Sequence, residues 1–317
     1  MKHEPSIITI GFAPAWDITC RAKNPHWGGH MDIEGQTIFP AGKALNVSKA
    51  LAWMGQKNIA AGLWGAGDYK QMQTAVQSSW PLIKIKLIPV NGYTRKNITL
   101  VDTAKHREMH LRNKNELVNT NVLRKIRKYL QETVKENSVC VFSGAMSEGR
   151  LLEEIIKTIK LCSDLRAKIV LDTSGPALKK IFETELVWLL KPNMAELGEL
   201  LGENIEDKTD SIVQAGRELL EKVEIILISR GKKGAVAVAK DAAWQGKCLS
   251  RKKALSTVGC GDYLLAGFLK GLKDTFEKDS ALDTAIRAAT CKAWGITEQK
   301  TWSQVQNHIQ IILKRAK

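Results

Sequence analysis

The 317-residue chain has 44% apolar and 26% charged residues, the balance of a globular protein able to bury a large core. No apolar run reaches the roughly 18 residues of a membrane span, and the apolar stretch in "MKHEPSIITIGF" is too short for a secretory leader. A cytoplasmic protein without a membrane partner is therefore expected. The 48 basic residues outnumber the 33 acidic ones for a net charge of +15, which raises nucleic acid as a partner. The positive residues are spread out, however, as in "LRKIRKYL", "SRKK" and "LKRAK", and read as solvated faces with no zinc-finger or aromatic–basic motif. A cleft for a small anion is equally compatible with them, and nucleic acid is not the expected partner. The six cysteines have no CxxC pair and no nearby histidine, which argues against structural zinc or a disulfide framework.

"SIITIGF" predicts a first, buried strand. "ALNVSKALAWMG" places Val47, Ala50, Leu51 and Met54 on one helical face, with Gly55 as terminator. "NIAAGLWGAGD" predicts a strand ending in a glycine-rich turn. Asn119–Thr120 cap a helix carrying Val122, Leu123, Ile126 and Leu130. Strands and helices then alternate. "SVCVFSG" precedes a helix from about Glu148 to Cys162, "AKIVLDTSG" precedes "PALKKIF", and "LVWLLKPN" precedes "MAELGELLG". "EIILISRGKKGAVAVA" predicts strand, turn and strand. This order indicates an α/β fold, doubly wound around a mostly parallel sheet, whose ligands bind beyond the carboxyl ends of the strands. Ser143–Gly144, Asp172, Lys191–Asn193 and Ser229–Gly231 fall at those ends. Two segments interrupt the alternation, about 12–40 and about 90–112, and together predict a small sheet outside the main one, serving as a lid within a single domain spanning 1–317.

"STVGCGDYLLAGFLKGL" holds the strongest chemical signal. Leu264, Leu265, Phe268, Leu269 and Leu272 recur at helical spacing, and Gly259, Cys260, Gly261 and Asp262 stand directly ahead of them. Asp262 as a plain N-cap is one reading; an anion cradle with a catalytic carboxylate at its lip is the other. A helix start would lower the Cys260 thiol pKa, but no neighbouring histidine supports a nucleophile.

Eight stretches in order, "APAWD", "AGKALNVSKALAWMG", "TRKNITLV", "FSGAMSEG", "LDTSGPAL", "LKPNMAEL", "ILISRGKKGAV" and "STVGCGDYLLAGFLKGL", resemble the ribokinase-like (PfkB) carbohydrate kinases. The similarity runs nearly end to end and is greatest to the branch with 1-phosphofructokinase and tagatose-6-phosphate kinase. It implies a doubly wound domain with a β-sheet lid, and transfer of the ATP γ-phosphoryl group to a sugar hydroxyl. The implied catalytic group is Asp262 as base, with main-chain amides of Gly259, Cys260 and Gly261 as cradle. Asp17, Gly42, Lys43, Asn46, Arg95 and Asn97 are implied for sugar binding, with Lys43 and Arg95 holding a phosphate already on the sugar. Capping of its own helix is an alternative for Asn46, and a solvated strand position for Arg95. Lys191, Asn193, Glu196, Ser229, Gly231 and Gly234 are implied on the nucleotide side, where Asn193 and Glu196 would order water around Mg²⁺. A homodimer through the lid is a further implication. Ala41 and Ala44 replace glycines of the family pattern, and Ala13, Trp16, Ala145, Met146 and Tyr263 also depart from it, clustering around the acceptor contacts. Fructose 1-phosphate is the first candidate acceptor, with tagatose 6-phosphate or fructose 6-phosphate next. A free sugar or nucleoside, or a sensor that has lost catalysis, are the alternatives.

Overall fold

Alternation of short β-branched runs with apolar-striped helices forces a layered arrangement, because each element must bury one or both faces against another. The computed structural model describes residues 6–105, 107–250 and 252–316. Its strands are β1 (Ile7–Gly11), β2 (Ala15–Ala22), β3 (Gly35–Ala41), β4 (Asn58–Gly65), β5 (Ile83–Val90), β6 (Lys96–Asp102), β7 (Arg107–Arg112), β8 (Val139–Ser143), β9 (Lys168–Asp172), β10 (Leu189–Leu190), β11 (Ile225–Ser229), β12 (Ala235–Ala239), β13 (Ala243–Cys248) and β14 (Ile311–Ala316). The helices are α1 (Lys43–Trp53), α2 (Tyr69–Ser79), α3 (Thr120–Thr133), α4 (Gly149–Asp164), α5 (Gly175–Phe182), α6 (Met194–Leu201), α7 (Thr209–Leu219), α8 (Cys260–Thr275), α9 (Lys278–Ala293) and α10 (Trp302–Val305).

The large sheet runs β14-β13-β12-β11-β10-β9-β8-β1-β4-β5. Pairings from β5 through to β11 are parallel, and those from β11 to β14 antiparallel. Side chains alternate across it, as the two-residue period of a strand requires. Ile8, Ile10, Phe142, Leu171 and Ile228 pack against α3 to α7, and Ile7, Val141, Val170 and Leu227 against α1, α8 and α9. Of the predicted α8 stripe, Leu265 and Phe268 have no exposure, Leu264 and Leu269 almost none, and Leu272 is half-buried. Truncating Phe268 to alanine would cost about 3–5 kcal/mol.

A second sheet, ordered β3-β2-β6-β7, is built from the two interrupting segments. Register places Ile38, Ile18, Ile98 and Leu111 in one row on one face, and Phe39, Asp17, Asn97 and Arg112 in one row on the other.

Several expectations change. "LKRAK", read as a solvated face, belongs to the edge strand β14, apart from Lys317, which like Arg251 of "SRKK" lies outside the described residues. The described remainder of "SRKK" is loop. The strand in "LVWLLKPN" shrinks to Leu189–Leu190 because Pro192 has no N–H to continue the ladder. No helix among the described residues is long and apolar enough to cross a membrane.

Candidate active site

The carboxyl ends of β8, β9 and β10 deliver Ser143, Asp172 and Lys191 to one place, and the N-termini of α1 and α8 close it from the other side. Asp172, with 1% exposure, is the hub. Its Oδ1 accepts from Lys191 Nζ at 3.1 Å and Lys43 Nζ at 3.3 Å, and its Oδ2 from Ser143 Oγ at 3.1 Å. Burial pushes the Asp172 carboxyl up, but Lys191 and then Lys43 outweigh it and hold the pKa below the ordinary value. Burial likewise pulls the Lys43 ammonium down, and Asp172, Asp262 and Glu196 together leave it raised. Lys43 is therefore charged at neutral pH.

α8 starts at Gly259, whose φ of 79° is left-handed and suits glycine. The first N–H groups of this helix have no partner within it, and its dipole favours an anion. A Cβ on Gly261 would stand 3.8 Å from Lys191 Nζ, so that ammonium lies against the cradle. The Cys260 N–H is directed at the Thr257 carbonyl, 3.3 Å away, rather than left open. The Cys260 thiol is pushed up to about 11 by burial, which removes it as a neutral-pH nucleophile.

Asp262 sits in the first turn and is not the cap; Gly259 occupies that position. Its Oδ2 accepts instead from Asn46 Nδ2 at 2.9 Å. Asn46 is therefore not a cap either: Gly42, with φ 115°, begins α1 without any side-chain cap. Burial, and then the charge of Asp172, raise the Asp262 pKa to about 6, while the Asn46 amide, Lys43 and Lys191 oppose the rise. A buried carboxylate tuned toward neutrality beside two cations and an anion-binding helix end is equipped to accept a proton from an alcohol.

The small sheet carries Asp17 on β2 and Asn97 on β6, side by side in register. Asn97 Nδ2 donates to Asp17 Oδ1 at 3.0 Å, and Asn97 Oδ1 is buried without a partner among the described residues. Arg95 is engaged by main-chain carbonyls. It immediately precedes β6 and gives its N–H groups to the carbonyls of Pro14 (3.1 Å), Asn113 (3.0 Å) and Ala13 (3.3 Å), strapping the entry of β2 to the exit of β7. Arg112, the register neighbour of Asn97, is the exposed cation of that row. One arginine in a polar strand carries no local signal in the sequence.

On the nucleotide side, Asn193 and Glu196 form a reciprocal capping box on α6, with the Asn193 N–H donating to Glu196 Oε2 at 2.8 Å and the Glu196 N–H to Asn193 Oδ1 at 3.0 Å. Ser229 closes β11 beside Asn193. Gly231 is open around its Cβ position, whereas a Cβ on Gly234 would meet the Gly246 carbonyl oxygen at 1.9 Å, so Gly234 is needed for strand contact. Among the described residues, no group of three or more His, Cys, Asp or Glu side chains is set to hold a metal. Lys49, which carries no signal in the sequence either, is buried on α1, donates to the Pro40 carbonyl at 2.6 Å, and burial pulls its pKa down to about 8.

Residues 17–303 match the model of the pfkB family of carbohydrate kinases. A 1-phosphofructokinase from Vibrio cholerae is 26% identical over 315 residues, 96% of either chain. A tagatose-6-phosphate kinase from Staphylococcus epidermidis is 25% identical over 268 residues, covering 84% of this chain and 85% of its own. In fold, the crystal structure of phosphofructokinase-2 from Escherichia coli in complex with fructose-6-phosphate agrees with a TM-score of 0.86 at 19% identity, covering 96% of this chain and 100% of that one. The chain belongs to the pfkB family of carbohydrate kinases, phosphotransferases whose acceptor is an alcohol.

Proposed function

We propose that the chain transfers the γ-phosphoryl group of ATP to a free hydroxyl of a hexose monophosphate, producing a bisphosphate. The observation that carries this reading is the meeting of Asp262, Lys43 and Lys191 at the glycine-headed start of α8. Asp262 takes the hydroxyl proton as the acceptor oxygen attacks. Amides of Gly259 and Gly261 and the Lys191 ammonium stabilise charge on the group in transit. Asp17 and Asn97 hold sugar hydroxyls, and the unpaired Asn97 Oδ1 is an acceptor awaiting a donor. Lys43, whose side chain is 41% exposed, would hold the phosphate of the acceptor.

Glu196, joined to Asn193 in its capping box, offers only one carboxylate to a metal. That fits Mg²⁺, which keeps most of its waters and is held mainly by phosphate oxygens. When bound, Mg²⁺ would neutralise charge along the phosphates.

Fructose 1-phosphate is the first candidate acceptor, followed by tagatose 6-phosphate and fructose 6-phosphate. One observation favours a second reading: the carbonyls that occupy Arg95 leave fewer cations for a sugar phosphate, as in a kinase of free sugars or nucleosides. An ADP-release assay with Mg²⁺ across hexose monophosphates, free hexoses and nucleosides separates the two. At least a tenfold higher kcat/KM on a hexose monophosphate is expected, about the worth of one charge-assisted bond. Equal rates on free sugars would refute the phosphorylated acceptor.

A further inference from the structure

Lys43 and Lys191 share the buried Asp172, but a third lysine stands at the cradle without an equivalent partner. Lys292 lies in the last turn of α9. A lysine there ordinarily points into solvent, where it complements the helix dipole. The Lys292 side chain instead runs inward and is 26% exposed: its Cε is 3.6 Å from the Cβ position of Gly259, and its Nζ is 5.7 Å from the centre of the Tyr263 ring. Its acidic contact is Glu298 Oε1, 3.7 Å away on a side chain that is itself 65% exposed. That distance is beyond hydrogen-bond range, and such exposed pairs contribute little. The nearby Cys260 thiol feels the Lys292 charge, which opposes the rise in its pKa.

The placement also sorts the three lysines. Lys191 approaches the cradle at Gly261 and Lys292 at Gly259. The first is joined through Asp172 to the catalytic carboxylate's surroundings; the second comes from α9 and has Glu298, at 3.7 Å, as its acidic contact. We propose that Lys292 is a nucleotide-binding residue that grips the part of the phosphate chain that stays with the nucleotide, exchanging its loose contact with Glu298 for the bound anion. This rests on the kinase reading given above. Because the diphosphate persists from ground state to transition state, the grip strengthens binding uniformly and acts on KM rather than kcat.

The test is direct titration of the full chain with ADP by calorimetry, alongside ATP kinetics, for Lys292→Met, Lys292→Arg and Glu298→Gln. Lys292→Met is expected to weaken ADP binding and raise the KM for ATP about tenfold, with kcat changed less than threefold. Lys292→Arg retains most of the affinity, and Glu298→Gln tightens ADP by removing the competing carboxylate. A merely structural lysine would move the melting temperature but not produce opposite effects on ADP for the two partners. ADP affinity within twofold of wild type for Lys292→Met, in a chain that turns over ATP, overturns the inference and leaves the kinase reading standing. Absence of both ADP binding and turnover in the wild-type chain overturns both.

Discussion

The chemistry at Asp262 depends on which influence on its carboxyl prevails. Burial and the neighbouring Asp172 raise its pKa to about 6 against the Asn46 amide and two lysines. With the pKa above the unfolded value of 3.8, the native state holds this proton more tightly than the unfolded chain. The group therefore costs stability as pH rises from about 4 to 6, and becomes an active base only above that window. The kcat/KM profile is expected to fall below pH 6 with an apparent pKa near that value. Asn46→Ala removes an opposing hydrogen bond, so its acid limb should shift upward; a limb unmoved in Asn46→Ala would show that this contact does not tune the base. Asp262 and Lys43 were legible because glycine, lysine and aspartate in fixed order carry a chemical reason. Asp172 was noted only as a polar strand end, since its role as hub exists only when β8, β9, β10 and α1 meet.

At the scale of elements, glycine and capping residues reveal how much of a motif is scaffold. Asn193 and Glu196 satisfy each other's backbone at α6, so Asn193→Ala removes a cap worth about 1 kcal/mol as well as any role toward Mg²⁺. Gly234 faces the Gly246 carbonyl across β12 and β13. Gly234→Ala is expected to destabilise the protein by roughly 1–3 kcal/mol, read as a lower melting temperature. An unchanged melting temperature with weaker ADP binding would instead assign Gly234 to the nucleotide. Strands and helices with strong periodicity, such as β1, α3 and α8, could be read directly from their apolar spacing. β14 could not, because an edge strand ending in Lys314 and Arg315 looks like a solvated helix face until β13 pairs with it. The strap that Arg95 makes has no local signature either, because its carbonyls come from Ala13, Pro14 and Asn113 in other segments.

For the whole molecule, the small sheet leaves Ile38, Ile98 and Leu111 36–51% exposed in one row. We propose this apolar row as an association surface. A homodimer through this face is the expected solution state. Ile98→Lys should yield monomers in sedimentation analysis, and a wild-type monomer at micromolar concentration would count against the dimer. The doubly wound order was legible from element alternation, and the second sheet from the two stretches that broke it. The pairing of β2 with β6 was not, since it joins strands about 80 residues apart.

The role of Asp262 is tested most directly by Asp262→Asn, assayed for ADP release with the preferred sugar phosphate while ADP affinity and melting temperature are followed in parallel. Turnover should fall roughly 10²–10⁴-fold, with ADP affinity kept and no loss of melting temperature at neutral pH, because the replaced carboxylate was itself costly to bury. Near-wild-type turnover with a lowered melting temperature would contradict the assignment and reduce Asp262 to a structural residue at the start of α8.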